Sequence, residues 1–297
     1  MTIYYLIAIL AAVCWTFASL ISADLTREIG ALAFNRIRLF FVSLMLIGYT
    51  TYIDTWHTLN TNTLTIILIS GVIGIFLGDT LLFMALQRIG PRRNNILFSL
   101  AAPFTVLLNI VLLNEVMSLL NLIGCISVFC GIVIAIMYGK TKNNEHRWEM
   151  IEGSLSIGIL MGISAALCQA IGIIMMKPIL VSGVDPIASA ALRTTISFVL
   201  LSSTFLIKSP NFISKNQINF PIIFKTILSG FLGMALGMSL LLVALQKADA
   251  GIVATLSSTS PIMILFLIWI LTNKKPSLGA WIGTIVALVG TGLIFIY

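Results

Sequence analysis

Ten stretches of about twenty mostly apolar residues follow one another along the chain, near 2–22, 32–52, 64–87, 94–113, 118–138, 153–176, 186–207, 222–245, 250–271 and 277–297. At about 1.5 Å of rise per residue, a helix of about 20 residues crosses a hydrocarbon core of about 30 Å. Lipid offers no water to an open backbone, so only helices and closed barrels can span it. These runs are continuously apolar rather than alternating and are too long for barrel strands, so they read as helices. Composition agrees: 59% of the residues are hydrophobic and 9% charged, against about 45–50% and about 25% in soluble domains. The expected fold class is an all-α membrane protein with ten transmembrane helices.

One stretch occurs twice. Residues 71–87 read GVIGIFLGDTLLFMALQ and residues 230–246 read GFLGMALGMSLLLVALQ, identical without gaps at nine of seventeen positions and offset by 159. An offset of that size in 297 residues indicates a duplicated half. Pro103 pairs with Pro261, and Gly124 and Gly131 pair with Gly283 and Gly290, the same seven apart. Arg38 and Arg193 hold corresponding places early in the second and seventh spans. The expected organisation is a first repeat over 1–138, a polar linker over 139–152 and a second repeat over 153–297. Five is odd, so the second copy enters the membrane the other way up, giving two inverted five-helix repeats (5+5).

Charge supplies an orientation. Connections after odd-numbered spans carry twelve Lys or Arg residues, and those after even-numbered spans carry two, Lys177 and Lys247. The positive-inside rule then places both termini on the same, non-cytoplasmic side. The location expected is the cell membrane, multi-pass, which in a Gram-negative bacterium means the inner membrane. The net charge of +7 lies between apolar runs and not on a basic face, so it reads as a topology signal and not as a nucleic-acid site. Arg88, Arg92 and Arg93 read as a solvated, lipid-facing group. The four cysteines lie inside spans with no CxxC pair and no nearby His, which supports neither a disulfide framework nor a metal. The first apolar run lacks a basic leader segment and reads as a retained helix. Trp148 in the linker reads as an interfacial aromatic if that segment forms a surface helix.

Asp79 is the one acidic residue well inside a span. A charge there costs about 2.5–3.5 kcal/mol on insertion scales, so it calls for a partner or a water-filled cavity. It lies about 12 Å from the end of its helix and Arg38 about 9 Å from the same face. Matching depths predict an Asp79–Arg38 pair, with Arg36 as competitor. That pair is either a fixed tie between two helices or one that substrate or a proton breaks during transport. The equivalent of Asp79 in the second half is Met238, so Arg193 reads as lacking an acidic neighbour. It either holds a substrate carboxylate or phosphate through its planar fork or snorkels to the headgroups. Trp15, Gln169, Ser99, Ser257 and Ser258 are further substrate-binding candidates, with packing as the alternative for each. Gly71, Gly74, Gly78 and Gly230, Gly233, Gly237 fall on one face of their helices and permit close approach, either for packing alone or for faces that rock against each other. Pro103 and Pro261 kink the fourth and ninth helices and free a carbonyl in each.

Two five-helix halves, the run GDTLLFMALQ and the spacing of Pro103, Glu115, Gly124 and Gly131 resemble the EamA branch of the drug/metabolite transporter superfamily. The resemblance covers nearly the whole chain and is strongest over the last three helices of each half. It implies a ten-helix carrier that exports or exchanges amino acids, sugars, nucleotide derivatives or other small metabolites. Two departures matter: Asn273 or Lys274 stands where the second half would match Glu115, and the first span carries no carboxylate. The small multidrug relatives use a Glu there for proton exchange, so that coupling is not carried over.

The function expected is therefore a secondary transporter moving a small organic metabolite, such as an amino acid or related compound, by alternating access. Its partners are a small-molecule substrate and the lipid bilayer, with a homodimer through the glycine-rich fifth and tenth helices as an option. The alternatives are a lipid-linked sugar flippase and a multi-pass scaffold that transports nothing. His57 and His146 both fall in loops and no carboxylates pair, which speaks against an enzyme. No GxxxxGK[ST] loop occurs, and no cofactor or metal is implied.

Overall fold

The computed structural model describes residues 2–113, 118–138, 148, 150–204, 213–247, 256 and 259–294, and among them the regular structure is helical throughout. Short polar residues between the apolar runs set where helices begin. Asn60 accepts from the Thr63 N–H at 2.9 Å in a reciprocal capping box, and Asn219 accepts from the Ile222 N–H at 3.1 Å. Asp185 takes the N–H groups of Ile187 and Ala188 just before Pro186 opens its helix. Each cap supplies acceptors to donors that have no partner within the helix.

Helix α1 (Thr2–Ile29) passes to α2 (Ala31–Tyr52) through Gly30 alone, at φ 90. A single 3₁₀ turn, Trp56–Thr58, leads to α3 (Thr61–Gly71). A π-helical segment, Val72–Leu77, joins α3 to α4 (Gly78–Phe98), followed by α5 (Ala101–Leu113) and α6 (Leu119–Met137). The second half runs α7 (Leu155–Val181), α8 (Pro186–Ser203), α9 (Phe220–Gly230), a second π segment Phe231–Leu236, α10 (Gly237–Lys247), α11 (Ser260–Thr272) and α12 (Leu278–Ile294). The Gly78 and Gly237 N–H groups each reach back five residues, to Ile73 and Leu232. The two π segments and the two Asn caps are separated by 159 residues, the offset of the sequence repeat.

Seven helical stretches among the described residues are long and apolar enough to cross a membrane, and α11 and α12 are shorter apolar helices. One of the seven, Thr63–Phe98, is 36 residues long and takes in parts of two expected spans. No loop separates them. The chain turns at Gly90, φ 79 and ψ 168, and Pro91 starts the next helical turn. This moves Arg92 and Arg93 off the expected solvated surface: they are 2% and 4% exposed. The fourth span begins three residues earlier than its apolarity indicated, so both arginines stand in its first turn and Arg92 reaches α6. Arg92 Nη1 donates to the Ala135 carbonyl at 3.1 Å and Arg93 Nη1 to the Ile89 carbonyl at 3.1 Å.

Helix contacts come in matched sets. Helix α1 lies on α9, α10 and α11, and α7 lies on α3, α4 and α5; α2 crosses α8 and α9, and α8 crosses α2 and α3. The most extensive contact joins α6 to α12. Gly124 and Gly131 there lie directly against the backbone around Gly290 and Gly283. Those glycine faces, offered by the sequence for pairing two copies, are filled within one chain. The outward faces are apolar, as with Leu6, Val111, Phe129 and Leu160, which suits lipid and not water.

Candidate functional site

The inner face of α2 is polar at helical spacing: Asn35, Arg38, Ser43 and Thr50 are all buried. In lipid such a face must find its partners inside the protein. Arg38 Nη1 donates to Asp79 Oδ2 at 2.8 Å, its guanidinium lies 4.9 Å from the Phe83 ring centroid, and Nη1 stands 3.4 Å from Asn35 Oδ1. Asp79 sits two residues beyond the π segment, in the first turn of α4. A π turn holds one more residue per hydrogen bond than an α turn and so rotates the helix beyond it, a device common at functional sites.

Arg193 reaches the same place from the second half. Its Cα lies 2.9 Å from where a Cβ on Gly71 would stand, and its Nη2 lies 3.0 Å from that of Gly74. In its own half Met238 stands where Asp79 stands in the first, and what the first half offers Arg193 here is the face of Gly71 and Gly74. The Nε of Arg193 is buried without a hydrogen-bond partner. Arg38 repeats the arrangement from the opposite side, with Cγ 3.3 Å from the Cβ site of Gly230 and Nη2 3.9 Å from that of Gly233. Each arginine therefore lies across the paired glycines of the other half, and no side chain larger than hydrogen fits at Gly71 without moving backbone.

A cavity of about 760 Å³ approaches this cluster from one end of the bundle. Its inner wall includes Thr80, the residue after Asp79, with Met84 and Gln87 one and two turns further out. Its mouth lies between Glu152–Ser154 and Ile213–Lys215, beside Arg88. Arg27 ties this end together, donating to the Gln87 carbonyl at 3.1 Å and the Met150 carbonyl at 2.7 Å and standing 3.5 Å from Glu152.

The family model for EamA-like transporters matches residues 2–137 and 156–296. The chain belongs to the EamA-like transporter family. An uncharacterized transporter of Archaeoglobus fulgidus is 24% identical over 260 residues, covering 86% of this chain and 85% of that relative. A solved crystal structure superposes with a TM-score of 0.68 over 99% of this chain and 96% of the other at 14% identity, which shows the fold. This EamA-like protein is thus a multi-pass membrane transporter of a small molecule and not an enzyme. Among its described residues no cluster of His, Cys, Asp and Glu gathers to hold a metal.

The other candidates of this EamA-like transporter scatter. Trp15 Nε1 donates to the Gly233 carbonyl at 2.9 Å, inside the second π segment, and its ring seats on Gly237. Gly78, the counterpart of Gly237, faces Cys168 instead. Gln169 is half-buried on α7. Ser99 Oγ turns back to the Asn95 carbonyl at 3.4 Å and does not line the cavity. Pro103 and Pro261 are buried near the starts of α5 and α11. Ser257, Ser258 and Glu115 lie outside the described residues. Trp148, read as interfacial, is instead 8% exposed in the central core, where its Nε1 donates to Asp24 at 2.7 Å. Sequence reasoning passed over Thr80 and read Arg88 as part of a solvated, lipid-facing group, whereas Thr80, Gln87 and Arg88 all line the cavity. Thr80 and Gln87 are the polar residues on that face of α4, and Met84 between them masks the wall they form.

Proposed function

We propose that the chain is a secondary carrier built as two inverted five-helix repeats, with domains 1–138 and 153–297 joined by the 139–152 linker, working by alternating access on a small organic metabolite. The observation that carries the reading is the buried Arg38–Asp79 pair, one residue along α4 from Thr80, which lines the cavity. A charged pair close to a passage from one face is what a carrier needs at its midplane. The matched contacts of α1 with α9–α11 and of α7 with α3–α5 support the inverted repeat. In this arrangement the Arg38–Asp79 pair is the contact that changes as the halves rock. By the positive-inside rule, Arg88 and Lys215 on the cavity lining support a cytoplasmic position for that end.

Counterflow in proteoliposomes tests the reading, using amino acids, nucleotides and sugar phosphates as the loaded and labelled solutes. At least one solute accumulates with wild-type protein, and accumulation falls at least tenfold with Asp79→Asn. Full counterflow in Asp79→Asn removes the cluster from the transport site, and no counterflow from folded protein with any solute removes the carrier reading.

A further inference from the structure

The cavity has two chemically different ends. Thr80, Met84, Gln87 and Arg88 line it from one face of α4 and span eight residues, about 12 Å of helix. At the inner end Thr80 Oγ1 is itself buried, so it offers the cavity no open hydrogen-bonding group. The wall there is apolar: Leu32 continues into the core of Leu39 and Ile75, and Met84 packs on the core around Phe34 and Phe83. Ile157 and Ile213 add to this lining. The outer end offers donors instead. Gln87 Oε1 is committed to the Ala31 N–H at 3.2 Å, which leaves Nε2 as the free end of that amide. Arg88 Nη1 reaches the Met161 sulfur at 3.5 Å. Among the described residues neither Arg88 nor Lys215 has an acidic partner, and Glu152, the carboxylate on this lining, already stands 3.5 Å from Arg27.

Orientation in the membrane asks only that basic residues stand at this end, which an exposed position off the lining such as Lys225 satisfies. Arg88 and Lys215 come from different halves and meet on the wall of one cavity. A solute with acceptor oxygens and negative charge at one end matches the donors of Gln87, Arg88 and Lys215. An apolar body behind that head covers Met84 and Leu32, as a mostly apolar pocket with a few placed polar groups requires. A cation is repelled at the rim, and a polar neutral solute matches neither end. The same rim raises the local concentration of anions.

We infer that the solute this cavity admits is an amphiphilic organic anion, its charged head at the Gln87, Arg88 and Lys215 end and its apolar body inward against Met84 and Leu32. The inference rests on the carrier reading and is tested apart from it by binding. Calorimetry on the full-length protein in phosphatidylcholine nanodiscs, corrected for empty nanodiscs, compares hexanoate and phenylacetate with their amides and with lactate as a short polar acid. The wild type binds at least one of the two apolar acids at least tenfold more tightly than its amide and than lactate. Arg88→Gln and Lys215→Gln each cut the preference for acid over amide at least threefold, while Lys225→Gln, which removes the same charge off the lining, leaves it unchanged. Met84→Gln, close in size but polar, weakens the apolar acid at least threefold and leaves lactate unchanged. Hexyl phosphate beside hexanoate separates the two head groups, and tighter binding of either, lost in Arg88→Gln and Lys215→Gln, supports the site. Equal binding of acid and amide, tighter binding of lactate, equal losses in Lys225→Gln and Lys215→Gln, or no binding of any probe by a monodisperse preparation overturns the inference. Counterflow of a neutral or cationic solute by protein that binds none of these anions sinks it and leaves the carrier standing. Binding in the expected pattern without counterflow keeps the site and removes the carrier reading.

Discussion

Arg38 and Asp79 each hold a charge that neither could keep in the membrane alone, and their side chains are 8% and 14% exposed. Removing one partner of such a pair leaves the other uncompensated and costs about 3–5 kcal/mol, whereas removing both costs less. Asp79→Asn and Arg38→Gln each therefore lower the thermal midpoint in detergent, and the double variant lies above the sum of the two losses; simple additivity would show that the pair is not coupled. The glycines make a second residue-scale test. Gly71→Ala drives a Cβ to 2.9 Å from Arg193 Cα, an overpacking that costs about 1–3 kcal/mol. Gly48→Ala, with nothing within 4 Å of its Cβ site, is neutral or stabilises by up to about 1 kcal/mol. Equal melting temperatures for the two alanine variants would remove the seat assigned to Arg193. The Asp79–Arg38 pair was legible in the sequence because depth along two helices is a count of residues. The seat of Arg193 on Gly71 and Gly74 was not, because Arg193 was compared with its own half while those glycines belong to the other.

At the scale of elements, the described end of the linker, Trp148 and residues 150–152, is docked on the first half. Trp148 enters the core shared by Leu20, Phe34, Phe83 and Ile264, its indole bonds to Asp24, and the Glu152 N–H donates to the Arg88 carbonyl at 2.8 Å. The Trp148 carbonyl occupies the space where any Cβ on Gly90 would stand. Gly90 also holds φ 79 and ψ 168, a conformation essentially closed to other residues and costing them about 1–3 kcal/mol. Gly90→Ala thus strains the bend and expels Trp148 together. Its destabilisation and that of Trp148→Ala combine to less than their sum, as read from thermal melts of both single variants and the double; strict additivity would uncouple the bend from the linker. Composition marked this segment as polar linker and could not show that one aromatic in it docks. The Asn60 and Asn219 caps could be read from local chemistry. The π segments could not, since Val72–Leu77 and Phe231–Leu236 would satisfy an ordinary α-helix equally well, and the arginine lying across the neighbouring glycines of each comes from the other half.

For the whole molecule, among the described residues the connections near 29, 150 and 215 meet at one end, and those near 58 and 185 meet at another. Lys215 N–H donates to the Ile29 carbonyl and Arg27 reaches Met150, whereas the Asp185 N–H donates to Thr58 Oγ1 at the far end. The apolar runs announced a helical membrane protein, and the spacing of Gly124, Gly131, Gly283 and Gly290 announced which helices approach closely. Spacing did not reveal that they approach each other, because a smooth face fits a helix of its own chain as well as that of a second copy. A charge bias is a property of loops, so it yields an orientation that the packing by itself leaves open. In a variant with Cys14, Cys125, Cys130 and Cys168 replaced, single cysteines at Thr58, Lys215 and Met84 read out both orientation and access. A membrane-impermeant maleimide applied to intact cells labels Thr58→Cys and spares Lys215→Cys until the membrane is opened. Met84→Cys, on the cavity wall one turn from Thr80, then labels from the Lys215 side, and a saturating transported solute slows that labelling. Labelling of Lys215→Cys in intact cells reverses the orientation while keeping the fold. Labelling of Thr58→Cys and Lys215→Cys from one side contradicts the inverted repeat itself, because those two connections would then share a face that five helices per half place on opposite sides.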